Sequence, residues 1–383
     1  NSFIEKKDFS NEQKFPLKVL LCENCGLSQL DTIVSASDIF DEYLYLSSTS
    51  KALVSHYKDM VKTISKKFKL SDNSLVVDIG CNDGITLENY SSNLNILGIE
   101  PSSASVYAEK KGIKIENIFF NKKNSDQLVQ KYGKAKIITA TNVFAHVDDI
   151  KDFVLGIKNF LDNDGVFIIE FPYLKYMIED NLFDVIYHEH LSYLSITPLK
   201  YLFSEFGLKI FDIEEINIGA SGPALRVYIC LNVAKYKTDK KVSNFLEMEK
   251  ELKFKDPNPY FKFAKRVQSI KNNILSIIRD LNKNNNIVGA FGAPAKGNTM
   301  LNYLDINKKD ILAVADNTPV KIGKFTPGSQ IPIVSDEDFE KMNVNYALLL
   351  SWNYLDFFLK KSDFIKNSGK FIVPFPKVNI LPK

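Results

Sequence analysis

The stretch Val76-Val-Asp78-Ile-Gly80-Cys-Asn82-Asp83-Gly84 decides how the rest of the chain is read. The apolar run from Ser74 to Ile79 reads as a buried strand, and the glycines behind it mark a turn into helix-compatible sequence. Ile96-Leu-Gly-Ile-Glu100 supplies the next strand. Outward from there, Lys136 to Ala140 and Gly165 to Phe171 read as strands, Ile150 to Phe160 as the helix between them, and Leu208 to Ile216 with Ala224 to Leu231 as two successive strands. Strands that alternate with helices and close on such a pair predict a doubly wound α/β sheet with an antiparallel edge. Upstream, Leu53, Tyr57, Val61, Ile64 and Phe68 recur at three and four, one face of a helix over 50–68.

After a Lys-rich stretch with a Pro257-Asn-Pro259 break, Phe263, Val267, Ile270, Ile274 and Ile278 line one face of another helix. A second α/β pattern then starts, with strands expected at Ile287 to Phe291, Ile311 to Ala315, Tyr346 to Leu350 and Lys370 to Pro374. The expected organisation is a small irregular N-terminal module over 1–49, an α/β domain over 50–233, a helical connector over 234–286 and a smaller Rossmann-like domain over 287–383.

With 383 residues, 45% hydrophobic and 25% charged, the chain is long enough for two or three ordinary cores. Lys+Arg 49 against Asp+Glu 46 leaves +3, with only three arginines, so neither nucleic acid nor an anionic membrane is called for. No apolar run approaches a membrane span and the first residues do not form a signal peptide, which points to the cytoplasm. Cys22 and Cys25 form a C-x-x-C step, half of a four-ligand zinc site. Cys81, in the glycine loop, and Cys230, in a strand, are poorly placed to complete it. Because the chain begins with Asn1 rather than Met, the expectation is that a second pair lies upstream; the bland alternative is two incidental reduced thiols.

The glycine loop lacks the dinucleotide fingerprint, since Asn82 and Ile85 stand where glycines would be needed. Gly80, Asn82 and Gly84 instead fit the G-x-G-x-G loop of S-adenosylmethionine enzymes, with Asp78 before it and Glu100 placed to accept from ribose hydroxyls. Tyr187-His188-Glu189-His190 is not a zinc-hydrolase helix, because Ser192 occupies the second histidine position, and the H-x-H pair has no third metal ligand at a telling distance. Acid/base chemistry remains, such as removing a proton from carbon beside a carbonyl; structural loop histidines are the alternative. His146, in Asn142-Val-Phe-Ala-His146, follows a strand at the sheet's carboxyl edge, whereas His56 reads as structural.

Across nearly its whole length the chain resembles the S-adenosylmethionine-dependent sugar C-methyltransferases that act on nucleotide-linked keto-deoxysugars. The resemblance rests on Cys22-Glu-Asn-Cys25-Gly-Leu-Ser-Gln29, Tyr43-Leu-Tyr45-Leu-Ser47-Ser48, Asp78 to Gly84, Asn142 to His146, Phe183 to His190, Gly292-Ala-Pro-Ala-Lys296-Gly-Asn298, Asp316-Asn-Thr-Pro319 and Ser351-Trp352-Asn353, in that order. It implies a class I methyltransferase sheet, a structural zinc module whose first C-x-x-C lies upstream, and methylation at C3 beside a C4 ketone. His190 is the implied base, with His188 the competing candidate, Tyr187 and Glu189 as helpers and Tyr43 or Tyr45 reaching in from the N-terminal module. Asp78, Gly80, Asn82, Gly84, Glu100, Asn142 and His146 would meet the cofactor; Arg226, Lys296, Asn298, Asp316, Trp352 and Asn353 would meet the nucleotide sugar. One departure falls at Gly219-Ala-Ser-Gly-Pro223-Ala before Leu225-Arg226, where the family has a His-Gly-Gly-Ser-like stretch. Oxygen or nitrogen methylation of a nucleotide sugar is the nearest alternative and RNA methylation a more distant one; oligomeric state stays open, a monomer included.

Overall fold

The computed structural model describes residues 3–35, 39, 46–217 and 222–383. They form two compact units: one takes 18–174 and 188–256, the other the segments up to 17, 175–187 and 257–383.

The first unit opens with β1 (Val19–Leu21) and β2 (Ser28–Leu30), an antiparallel pair around the Cys22 to Gly26 knuckle. There the Gly26 amide donates to the Cys22 carbonyl at 2.9 Å and the Cys22 amide to that of Leu27 at 2.8 Å. Helix α1 (Lys51–Phe68) starts at an N-cap Ser50 and stops where Lys69 turns left-handed at φ 45°. It buries the expected stripe, with Met60 added.

Behind α1 stand β3 (Leu75–Ile79), β4 (Asn95–Ile99), β5 (Ile115–Glu116), β6 (Ala135–Thr141), helix α2 (Ile150–Phe160) and β7 (Leu161–Pro172). A short β8 (Ser192–Tyr193) and helix α3 (Ile196–Glu205) precede β9 (Leu208–Ile216) and β10 (Ala224–Leu231). The seven-stranded sheet runs β5-β4-β3-β6-β7-β10-β9, parallel through β7, with β10 antiparallel to both neighbours. Every residue of β3 is buried, as a parallel strand covered on both faces requires. The helix expected after the glycine loop is only a 3₁₀ turn, Leu87–Asn89. Residues 81–87 are all buried, so this run has no polar outer face for an amphipathic helix to present. β8 pairs with β2, which ties the N-terminal knuckle to the residues after His190.

The Lys-rich stretch read as one connector divides. Its first part forms α4 (Lys240–Glu251), which packs in this unit through a buried carboxylate. Glu249, 1% exposed, accepts from Tyr173 Oη at 2.8 Å, from the Ile196 and Thr197 amides at 2.7 Å each, and from Thr197 Oγ1 at 2.6 Å. Two of these are backbone donors at the start of α3, whose N-cap Ser195 makes no side-chain bond of its own.

The second unit begins its continuous part with α5 (Asn258–Lys283), then β11 (Val288–Phe291), α6 (Ala295–Leu304), β12 (Val314–Ala315), β13 (Ile333–Val334), β14 (Tyr346–Leu349), β15 (Lys370–Val373) and β16 (Asn379–Leu381). Its sheet runs β13-β12-β11-β14-β15-β16, parallel except for β16. Two earlier segments complete it, against the expected boundaries of 1–49 and 50–233. Ile4 bridges Phe325 through paired amides, Phe9 packs edge-on to Phe325 at 5.0 Å, and Gln330 donates to Glu12 at 2.6 Å. Phe183 packs against Tyr303, tilted at 4.9 Å, and edge-on to Phe375 at 5.4 Å, while Arg266 donates to Asn181 at 2.7 Å and to the Ile178 carbonyl at 2.6 Å. Aromatic burial of this kind outweighs proximity in sequence.

Glu249→Ala should lower the free energy of unfolding by about 3 kcal/mol, since it strips charge-assisted bonds from buried donors. Lys341→Ala, on an exposed ion pair, should leave the denaturation midpoint where it is; equal effects of the two in urea melts would refute the capping role of Glu249.

Candidate active site

At the carboxyl edge of β3 the loop turns through three left-handed residues, Gly80 (φ 66°), Asn82 (φ 51°) and Gly84 (φ 79°). A Cβ on Gly80 would lie 2.4 Å from Val143 Cγ2, and one on Gly84 2.4 Å from Ile113 Cδ1, so both positions require glycine. Glu100, just past β4, closes the loop: its two oxygens accept the Asn82 amide at 2.8 Å and the Ser102 amide at 2.9 Å. Each oxygen keeps a second lone pair, so clamping the loop and accepting from a ribose are compatible roles. Asp78 receives Thr139 Oγ1, and burial pushes its carboxyl up to about 7. Asn82 and Asp83 use their side chains elsewhere, accepting the Ser47 amide at 3.0 Å and the Ser48 amide at 3.1 Å. Sequence reasoning missed that contact, whose partners lie 35 residues apart.

Asn142, left-handed at φ 56°, follows β6; its amide donates to the Glu170 carbonyl at 2.7 Å and its side chain to Tyr57 Oη at 3.2 Å. The turn continues through Phe144–His146, and the Leu191 amide donates to the Ala145 carbonyl at 2.8 Å. That bond draws the HEH segment alongside, so the His146 and His190 rings lie 5.0 Å apart at 73°. Burial, reinforced by the neighbouring His190, pulls His146 down to about 3, so it is neutral at any ordinary pH. Glu189 is 5% exposed, and burial holds its carboxyl above the usual range. His188 is half-buried and, with Val34, Asp148 and Leu191, lines a small cavity beside the pair. Tyr187 belongs to the other unit; Tyr43 and Tyr45 lie outside the described residues.

Arg226 does not take the substrate-facing role expected of it. It is 4% exposed on β10 and donates through Nε and Nη2 to Glu170 at 3.1 and 2.9 Å and through Nη1 to Glu214 at 3.2 Å. His56 Nε2 meets the other Glu170 oxygen at 2.7 Å. Glu170, fully buried, would be prohibitively costly unpaired, and the guanidinium fork is drawn inward to it. The stretch 218–221, where the chain departs from the family pattern, lies outside the described residues.

In the second unit Gly292 (φ 82°) turns β11 into α6; a Cβ there would meet Ser351 Oγ at 2.1 Å. Lys296, 8% exposed in the first turn of α6, donates to Asn353 Oδ1 at 2.8 Å and lies 4.0 Å above the Trp352 ring. Trp352 Nε1 donates to Asp184 at 2.6 Å. Burial draws Lys296 down to about 8 and pushes Asp184 up to about 6, each partly countered by the other's charge. Asp316 is engaged locally, accepting the Ala293 and Thr318 amides at 2.8 Å each with Lys321 at 3.5 Å. Asn298 Nδ2 is buried without a hydrogen-bond partner among the described residues.

The strand order, the glycine loop at the carboxyl edge of β3 and the acidic residue after β4 define a class I S-adenosylmethionine-dependent methyltransferase. Residues 52–213 match a methyltransferase domain, 219–376 a C-methyltransferase C-terminal domain and 1–40 a zinc-binding domain. The C-methyltransferase NovU of Streptomyces niveus is 29% identical over 384 residues, spanning 100% of this chain and 91% of that one. The chain is an S-adenosylmethionine-dependent C-methyltransferase. Among solved structures, a methyltransferase from Anabaena variabilis covers 52% of this chain and 100% of its own at 14% identity and a TM-score of 0.37. The plantazolicin methyltransferase BpumL, in complex with SAH, covers 47% and 84% at 15% and 0.36. Both are too distant to carry an argument.

The residues present fit the cofactor: a left-handed loop, a clamped acid beyond it, and a buried Asp83 oxygen that no described group satisfies. For zinc the fit is half a site. Cys22 and Cys25 offer two thiols from one knuckle, and no group of three or more His, Cys, Asp or Glu among the described residues could hold a metal.

Glu100→Ala should weaken S-adenosylhomocysteine binding about tenfold or more by calorimetry, because the Asn82 amide in the loop and the Ser102 amide after β4 lose a charged acceptor. Unchanged affinity would show that the clamp does not shape the cofactor crevice.

Proposed function

We propose that this C-methyltransferase methylates C3 of a nucleoside-diphosphate-linked 4-keto-deoxysugar, in the cytoplasm and without a nucleic-acid partner. The observation that carries the reading is the imidazole pair at the carboxyl edge of the sheet, a buried His190 at 5.0 Å from a His146 held neutral. A ketone acidifies the neighbouring C–H, and a sheltered imidazole is suited to remove that proton near neutrality. Bound S-adenosylmethionine supplies an electrophilic methyl group on a positively charged sulfur. His190 takes the proton from C3, and the electron pair of the broken C–H bond passes toward the ketone oxygen, leaving C3 nucleophilic toward the methyl group, whose bond to sulfur would break with its electrons kept by the departing thioether. His146, uncharged, adds no positive charge that would hold His190 back from accepting the proton. Glu189, buried and next to it in sequence, is its helper in this reading, and Tyr187, Tyr43 and Tyr45 are further candidates by resemblance alone. Asp78, Asn82, Glu100 and Asn142 shape the cofactor crevice.

The nucleotide sugar is assigned to the second unit. Lys296 near the N-terminus of α6, with Asn298, Trp352 and Asn353 around it and Asp316 bracing the turn, supports recognition of a diphosphate-bearing ligand.

His190→Asn should depress both methyl transfer and exchange of the substrate α-proton in heavy water by about 10²- to 10⁴-fold, with S-adenosylhomocysteine affinity kept. Exchange that survives in His190→Asn and vanishes in His188→Asn would transfer the role to His188. Full activity in both would refute base catalysis by this tetrapeptide and favour methylation at oxygen or nitrogen. For the second unit, Lys296→Ala should raise the nucleotide-sugar KM about tenfold with little change in kcat; an unmoved KM would leave α6 a structural turn.

A further inference from the structure

Three carboxylates surround the cofactor loop: Asp78, Asp83 and Glu100. Two are satisfied. Glu100 receives the Asn82 and Ser102 amides, and Asp78 receives the hydroxyls of Thr139 and Thr86. Asp83 differs. It is 1% exposed; Oδ2 accepts the Ser48 amide at 3.1 Å, while Oδ1 is buried with no hydrogen-bond partner among the described residues. A carboxylate oxygen removed from water without a donor is costly, and in a folded protein that cost is met by a donor, an ordered water or an ion.

The donor has to be sought near the loop. The backbone amides of Gly80, Cys81, Asn82 and Gly84 are already committed, to the Ile99 carbonyl, Glu100 and the Cys81 carbonyl, so they cannot serve Asp83. The neighbouring Asn82 accepts the Ser47 amide on its side-chain oxygen and donates its backbone amide to Glu100. No Lys, Arg or His occurs between Asp78 and Glu100, so the loop itself offers no cation. The molecule that the loop accommodates does carry one: the amino-acid tail of S-adenosylmethionine ends in an α-ammonium, whose three N–H groups can serve a carboxylate as a charge-assisted bond.

We propose that Asp83 Oδ1 is the acceptor for the α-ammonium of the cofactor's methionyl tail. Asp83 thereby joins two roles, fixing the Ser48 amide through one oxygen and the tail through the other, and it discriminates a ligand that bears the amino group from an adenosine thioether that lacks it.

Calorimetry on the full chain separates this from a merely structural Asp83. Two probes are used: S-adenosylhomocysteine, which has the tail, and 5′-methylthioadenosine, which has the adenosine and thioether but no amino acid. Asp83→Asn should weaken S-adenosylhomocysteine about 10- to 100-fold, the loss expected for a charged hydrogen bond, and move 5′-methylthioadenosine less than about twofold. Parallel losses for both probes would mean that Asp83 acts by holding Ser48 and the loop; no loss for either would mean that a water satisfies Oδ1. Either result overturns the assignment. Should Asp83→Asn fail to fold by circular dichroism, Asp83→Ser keeps an acceptor for the Ser48 amide and carries the same prediction.

Discussion

One carboxylate holds the carboxyl edge of the larger sheet in shape. Glu100 ties the amide of Asn82, in the loop after β3, to the amide of Ser102, in the turn after β4, so two neighbouring strand ends are fixed through a single side chain. The loop can then run left-handed through Gly80, Asn82 and Gly84, with its glycines packed too close to Val143 and Ile113 to tolerate a side chain. That arrangement gathers acidic groups, and burial raises Asp78, with Glu100 adding to the shift. An edge of this character favours a ligand that brings positive charge, which a sulfonium cofactor does.

A second constraint lies deeper. Glu170 is fully buried; Arg226 neutralises it through one oxygen, and His56 lies within hydrogen-bond distance of the other. Its carbonyl meanwhile accepts the amide of Asn142, at the head of the turn that carries His146. A buried charge stripped of its partner costs far more than the pair gains over an apolar replacement. The group of His56, Glu170 and Arg226 therefore fixes how α1, β7 and β10 meet, and it accounts for one of only three arginines in the chain.

What could be read from the sequence was what depends on local periodicity. The strands from Leu75 to Ile79 and Ala224 to Leu231, the helix Ile150–Phe160 and the glycine loop all announce themselves within ten or so residues. What could not be read depends on partners distant in the chain. Arg226 looked like a ligand contact because Glu170, 56 residues away, gives no local signal. Glu249 looked like one more charge in a Lys-rich stretch, although its bonds reach 52 to 76 residues back to cap α3 and hold Tyr173. Residues 3–17 and 175–187 sit with the C-terminal sheet because Phe9 and Phe183 find aromatic partners there. The His188 to His190 motif could be singled out in the sequence; its proximity to His146 follows from the Leu191 amide and could not be counted from spacing.

The account stands on where the methyl group ends. The full chain, incubated with S-adenosylmethionine labelled with ¹³C in the methyl group and with a nucleoside-diphosphate 4-keto-deoxysugar, gives a product whose proton–carbon correlations locate it. The account predicts a methyl bonded to a ring carbon, with long-range correlation to the ketone carbon and loss of the C3 proton signal. A labelled methyl attached to oxygen or nitrogen, with the C3 proton intact, would contradict it.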